Sequence, residues 1–338
     1  MLKLFTTKQR NAFTNLRPGE TKLGETIKQI EGLEELRHSE AQFVVMGIKE
    51  DIGIRANLGV GGATNCWDYS LKALLNVQSN RFLSGHSICV AGALEFPDLL
   101  NEAKTLNNTK PYDLKQLRES TAIIDKSVAQ SIESIVSQGK TPIIIGGGHN
   151  NAYGNIKGSV KALGKALSVI NIDPHSDFRT LEGRHSGNGF SYAHSEKLLN
   201  QYGVFGLHQS YNSEDILEQF QKNTQLQYLS FESLLPLNHS ERLERLLQFC
   251  DSFVGEPIGL EIDLDCLTKF PVSALNPSGF NLNELRSFIR AIASLLPCTY
   301  LHLCEGSPER STSPLEREML GKAIAYLVTD FVKAQETL

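Results

Sequence analysis

No stretch of this 338-residue chain approaches the roughly 20 consecutive apolar residues that cross a bilayer, so a membrane-spanning helix is not expected. The N-terminal MLKLFTTKQRNAF lacks a long apolar stretch followed by a small-residue cleavage site, so no secretory signal is expected and the cytoplasm is the expected location. Blocks of basic residues are missing too. With a net charge of −5, that argues against nucleic acid or anionic membrane as the main partner and favours a small molecule. The six cysteines (Cys66, Cys89, Cys250, Cys266, Cys298 and Cys304) show no C-x-x-C spacing and mostly lie in apolar surroundings, so they read as buried free thiols. Internal repeats, low-complexity stretches and Pro/Gly/Ser-rich linkers are absent, which leaves nothing to divide the chain. A single domain over residues 41–338 is therefore expected, with the polar, weakly periodic residues 1–40 as a peripheral arm or oligomer contact.

A hydrophobic content of 41% against 21% charged residues is that of a soluble globular protein with a large core. Short apolar runs read as strands: FVVMGI (43–48), SICVAGAL (87–94), PIIIGGG (142–148), ALSVINID (166–173), IGLEIDLD (258–265) and TYLHLCEG (299–306). Helical patterns lie between them. Ile124, Val128, Ile132 and Ile135 recur at helical spacing over 120–138, with Gly139 as a stop. Ser313-Pro314 reads as an N-cap with proline at the first helical position, and Leu315, Met319, Ala323, Leu327 and Phe331 then stripe one face of a last helix. Such alternation implies an α/β fold, a mainly parallel sheet covered by helices on both faces.

In such sheets functional groups collect beyond the carboxyl ends of the strands. Asp173, His175 and Asp177 in NIDPHSDFR (171–179) fall on alternate positions where the chain leaves a strand, and strand alternation would put all three on one face. Asp263 and Asp265 close another strand in the same way. His149 follows PIIIGGG, and Glu305 follows TYLHLC. Each motif alone has a plainer reading, as loop and cap residues or as a tight glycine turn. His149 and the two aspartate motifs together offer four carboxylates, two imidazoles and no thiolate, a hard donor set that suits Mn²⁺ ahead of Fe, Co, Ni or Zn. Six ligands exceed what one ion uses beside water and substrate. Two ions about 3.5–4 Å apart, sharing carboxylates, would use them all and make a shared water acidic.

These motifs, in this order, resemble the arginase/agmatinase ureohydrolases over roughly residues 43–335, and within them the formimidoylglutamase branch. The resemblance implies a three-layer α/β/α fold around an eight-stranded parallel sheet, two Mn²⁺ per subunit and a homo-oligomer, trimer or hexamer. It also implies hydrolysis of a linear amidine C–N bond, most specifically N-formimidoyl-L-glutamate plus water to L-glutamate and formamide, as in histidine degradation. His149, Asp173, Asp177 and Asp263 would hold one ion, and Asp173, His175, Asp263 and Asp265 the other. Asp177 would also relay a proton to the leaving nitrogen, and Glu305 would pair with the amidine. Arg179, with Ser186 and Asn188, would bind substrate carboxylate.

The branch is indicated by IGGGHNNAYGN (145–155), by Arg179, and by Phe190 where arginases carry a histidine. Departures from the family pattern are Glu261 in place of a serine before D-x-D, Asn150 in place of a glutamate, and GVGGATNCWDYSLKALL (59–75) in place of an N-terminal turn. Arg55 and Asn57 resemble a loop at the site mouth. Another ureohydrolase (an arginase, agmatinase or guanidino-acid hydrolase) and a non-catalytic metal-binding relative are the alternatives.

Overall fold

The computed structural model describes residues 1–338 throughout. Nine strands form one sheet: β1 (Leu2–Leu4), β2 (Phe43–Lys49), β3 (Ile88–Glu95), β4 (Thr141–Ile145), β5 (Leu167–Ile172), β6 (Leu199–Leu207), β7 (Leu226–Ser230), β8 (Ile258–Asp263) and β9 (Cys298–Cys304). Their order is β1-β3-β2-β4-β9-β8-β5-β6-β7. All pairings are parallel except that of β1 with β3. The eight expected parallel strands are therefore present, and a short antiparallel strand from the first residues joins the edge. Residues 1–40 also send Phe5, Leu23 and Ile27 into the core.

Alternate residues of the central strands enter opposite cores, as the pleat requires. Ile143 and Ile145 join the cluster covered by the helices Cys66–Leu75, Leu282–Leu295 and Pro314–Gln335. Ile144 joins the other, under Pro111–Val136 and Asn151–Leu163. This is a three-layer α/β/α arrangement. Strands β5 and β8 are buried at every residue, which is why they read as continuous apolar runs. β6 and β7 escape the sequence reading because polar residues interrupt them; on the edge strand β7 only the two end residues are fully buried.

The helix expected over 120–138 starts earlier, at Pro111, and its four isoleucine and valine positions are all buried. Gly139 follows its end with φ 71°. Ser313 caps the last helix as expected, accepting from Glu316 N–H at 3.2 Å. Three of the five stripe positions, Ala323, Leu327 and Phe331, are buried; Leu315 and Met319 are exposed, and the buried face also takes in Leu320, Ile324 and Val328. Close packing at Gly321, where a Cβ would lie 2.4 Å from the Tyr69 carbonyl oxygen, turns that face inward. All six cysteines are buried free thiols. No helix is long and apolar enough to cross a membrane.

One buried ion pair fastens the loop after β5 to the helical layer. Arg184 Nε donates to Asp125 at 2.8 Å from the helix Pro111–Val136, and the guanidinium packs over the rings of Tyr153 and Tyr192, 4.8 Å from each. Burial pushes the Asp125 carboxyl up to about 6 against the pull of Arg184. Removing one partner leaves the other charge buried, so Asp125→Ala should cost about 3–5 kcal/mol. Urea denaturation checks this, and a loss below about 1 kcal/mol would show the pair to be dispensable.

Candidate metal centre

Four neighbouring strands, β4, β9, β8 and β5, end at one edge of the sheet and carry the candidate residues there. After β4 the chain reverses through Gly146 (φ 88°) and Gly147 (φ 74°), a backbone that side chains rarely tolerate, and so brings His149 over the sheet edge. The buried carboxylate of Glu50, just past β2, clamps this loop. It accepts from Gly148 N–H at 3.0 Å, Asn150 Nδ2 at 3.2 Å and Asn151 Nδ2 at 2.6 Å. Asn150 thus faces an acid supplied from another strand.

The two aspartate motifs do not work by strand alternation. β5 stops at Ile172 and β8 at Asp263, so His175, Asp177 and Asp265 all lie beyond the pleat. Matched turns replace it: His175 N–H donates to Asp173 Oδ1, and Asp265 N–H to Asp263 Oδ1, each at 2.7 Å. Asp177 (φ 46°) and Glu305 (φ 64°) adopt the left-handed region, where non-glycine residues are uncommon and costly, as does Leu58 of the pocket wall (φ 66°).

With Oδ1 engaged, the other oxygens of the two aspartates turn towards His149. Its Nδ1 lies 3.1 Å from Asp173 Oδ2, 3.2 Å from Asp263 Oδ2 and 2.8 Å from Asp177 Oδ2. One ligand atom from each of these four residues lies within 4.8 Å of every other. His175 Nδ1 sits 3.4 Å from Asp173 Oδ1 and 3.9 Å from Asp265 Oδ2, beside the first group. The ring of Tyr211 stacks on His175 with centroids 5.3 Å apart.

Buried like charges at this spacing hold protons that isolated groups would release. Burial and the Asp173 charge push Asp263 up to about 6. Burial, with Asp263 and Glu305 alongside, holds Asp265 well above the usual carboxylate range. Burial works against a charged His175, yet the neighbouring Asp173, Asp177 and Asp263 carry it up to about 9. Asp265 Oδ1 and both ring nitrogens of His149 are buried without hydrogen-bond partners. Unpartnered hard donors facing one another fit divalent cations.

A cavity of about 300 Å³ opens above this cluster, at the small end of the range typical of small-molecule sites. Asp263, Asp265, His175, Asp177 and Glu305 line it, and Arg179 and Ser186 stand on its wall. Glu305 Oε1 accepts from His149 N–H at 2.8 Å. Asn188 does not reach the cavity; its Oδ1 accepts from Arg184 and from His185 N–H, while its Nδ2 donates to the carbonyls of Thr180 and Gly183. Arg55 also turns away, donating to the Ala103 and Leu106 carbonyls. Asn57 does reach it, accepting from Arg179 Nη1 at 3.0 Å and donating to Ser186 Oγ at 3.2 Å. Sequence reasoning missed Glu50, Glu182 and Tyr211. None lies in a motif, and only its place just after the apolar run of β2 hinted at Glu50.

A profile of the Arginase family matches residues 42–330. The chain belongs to the arginase family. It is 28% identical over 278 residues to the formimidoylglutamase of Geobacillus sp. (strain WCH70), a match covering 80% of this chain and 78% of that protein. Two solved structures share the fold. The formimidoylglutamase of Bacillus subtilis subsp. subtilis str. 168 matches at TM-score 0.74 and 17% identity, over 96% of this chain and 94% of that one. The Trypanosoma cruzi formiminoglutamase solved with Mn²⁺ matches at TM-score 0.70 and 18% identity, over 92% and 98%.

As an arginase-family member the chain is a metal-dependent hydrolase acting on amidine C–N bonds. The family's cation pair has to displace protons from this site, because imidazole and carboxylate bind metal only when deprotonated. Loading Mn²⁺ into metal-free protein near pH 7 should therefore release protons. Apparent affinity should climb from about pH 6, where Asp263 titrates, to about pH 9, where His175 does, and level off above. Calorimetry in buffers of different ionisation enthalpy measures both quantities. Affinity that is flat across that window would mean that neither residue gives up a proton to the ion.

Proposed function

We propose that this chain hydrolyses N-formimidoyl-L-glutamate to L-glutamate and formamide, using two Mn²⁺ held by His149, Asp173, His175, Asp177, Asp263 and Asp265. The observation that carries the reading is the opposed polarity of the pocket. Its buried floor presents Asp263, Asp265 and Glu305, and its rim presents Arg179, Ser186 and Asn57. A substrate with a cationic formimino head and carboxylates a few bonds away matches both ends. Agmatine, which lacks a carboxylate, would leave a cationic rim facing a cationic chain. The formimidoylglutamases among the relatives support this substrate, and the Trypanosoma cruzi structure supports manganese.

Cations held by these residues would supply an acidified water and positive charge to offset the negative charge that develops at the formimino carbon. The chain's own groups do the rest. Glu305, fixed by the His149 N–H, accepts from the formimino nitrogen and aims the carbon at the floor. Asp177, strained at the pocket wall, takes the water proton and passes it to the glutamate nitrogen as the carbon–nitrogen bond breaks. A carbon–oxygen bond replaces that bond, so formamide and the free amine of glutamate leave. Arg179 and Ser186, cross-linked by Asn57, hold the carboxylate end.

Agmatine, which carries no carboxylate, is the second reading, and one observation favours it. Glu182 Oε1 lies 3.5 Å from Arg179 Nη2 and offsets part of its charge. That carboxylate is shared with Arg118 at 3.3 Å, so two guanidiniums face one acid and the rim stays cationic.

Glutamate release from N-formimidoyl-L-glutamate, run beside arginine, agmatine and 4-guanidinobutyrate with Mn²⁺-loaded protein, tests the proposal. Preference for the formimino substrate is expected, and preference for a guanidino compound would replace it. Arg179→Met should raise KM for the formimino substrate roughly 10- to 150-fold, the worth of a lost charged hydrogen bond, with little change in kcat. Asp263→Ala should abolish turnover of all four compounds, and full activity in that variant would sink the site.

A further inference from the structure

Behind His149, on the side away from the pocket, lies a second buried group that the proposed chemistry does not use. Glu261 is wholly buried on β8 and His302 wholly buried on the neighbouring β9, paired in register across the two strands. His302 Nδ1 and Glu261 Oε2 are 2.6 Å apart, Tyr300 donates its hydroxyl to Glu261 Oε1 at 2.8 Å, and His302 Nε2 faces the Gly146 carbonyl at 3.3 Å. Glu261 Oε2 also lies 3.5 Å from His149 Nε2, the ring nitrogen opposite the one that three aspartates surround. The Cys304 thiol also lies close to His149, but it donates to the Ile262 carbonyl at 3.5 Å and is a weak acceptor, which leaves Glu261 as the carboxylate facing Nε2. A buried glutamate against the far side of a would-be ligand is costly unless its partners use it.

We propose that Glu261 is a positioning residue for the metal centre: it receives the Nε2 proton of His149, so that Nδ1 carries the lone pair and points at the first cation. The logic is that of the carboxylate–histidine–metal arrangement, in which the outer partner fixes tautomer and ring orientation and strengthens the ligand. His302 completes the relay. Tied to Gly146 in the glycine turn that delivers His149, it fixes Glu261 relative to the same turn. The glutamate stands where the sequence departs from the family's serine before D-x-D, so the device belongs to this chain's own pair of residues. The inference rests on the metal-centre reading above.

The test is Mn²⁺ binding to the full chain by equilibrium dialysis, with the electron paramagnetic resonance signal of the ion pair as second readout. Wild type, Glu261→Gln and the double variant Glu261→Gln/His302→Gln are compared with Asp330→Asn, which alters a remote buried acid paired with Arg286. Loss of an outer partner typically weakens metal binding by about 10- to 100-fold. Glu261→Gln should show that loss for one ion of the two, together with a mononuclear signal at concentrations that give the wild type a coupled pair. Asp330→Asn should keep wild-type affinity even if it melts earlier. Should the single variant fail to fold, the neutral double variant carries the same expectation without an unpaired buried group. Affinities within threefold of wild type in folded Glu261 variants would overturn the proposal. A wild type that binds no Mn²⁺ would overturn the metal-centre reading instead, and the two failures are distinct.

Discussion

Three carboxylate oxygens stand within 2.8–3.2 Å of a single buried imidazole nitrogen, and much of the molecule can be understood as the means of keeping them there. Such a cluster repels itself unless it holds protons or cations. Its cost falls on the rigid parts that surround it. The strands that carry it are almost wholly buried, and they lie side by side in the order β4, β9, β8, β5. Two strained residues, Asp177 and Glu305, close the ring. Backbone strain of this kind persists where the surroundings over-determine the conformation, as a fully packed sheet edge does.

Around this centre the polar groups are arranged in shells that each serve the one within. Asp173 and Asp263 give one oxygen to a backbone N–H and keep the other for the centre. Glu50 clamps the glycine turn from beneath, and Arg184 with Asp125 pins the loop that carries Arg179 and Ser186. Asn57 then links those two at the rim. The pocket becomes acidic below and cationic above, the polarity on which the proposed substrate rests.

The candidate centre was legible because its residues sit in compact motifs at the ends of apolar runs, and residues at strand ends collect along one edge in a parallel sheet. The six central runs were legible for the same reason, since strands buried on both faces need unbroken apolar stretches. β6 and the edge strand β7 were not, because partial exposure, at the start of β6 and along the middle of β7, admits the polar residues that erase that signal. The last helix shows the limit of periodicity. Leu315 and Met319 fit the stripe, yet both stand in solvent, and the buried face starts at Leu320 beside Gly321, which packs against Tyr69.

The sequence by itself determined which chemistry this protein can hold: the donor set His149, Asp173, His175, Asp177, Asp263 and Asp265, and Glu305 beside it, follow from residue type and motif order. Only the tertiary structure decided how those donors face one another. Strand alternation would have aligned Asp173, His175 and Asp177 by the pleat, whereas turns closed by the aspartates' own side chains align them in fact. It also decided that Asn188 braces a loop while Asn57 reaches the substrate side, and that Glu261 and Glu50 stand behind the site. The reason is physical. Residue type fixes what a side chain can donate or accept, but whether it meets a ligand or a neighbouring backbone group depends on contacts between distant segments, such as those of Glu50 with Asn151 and of His149 with Glu305, 101 and 156 residues apart.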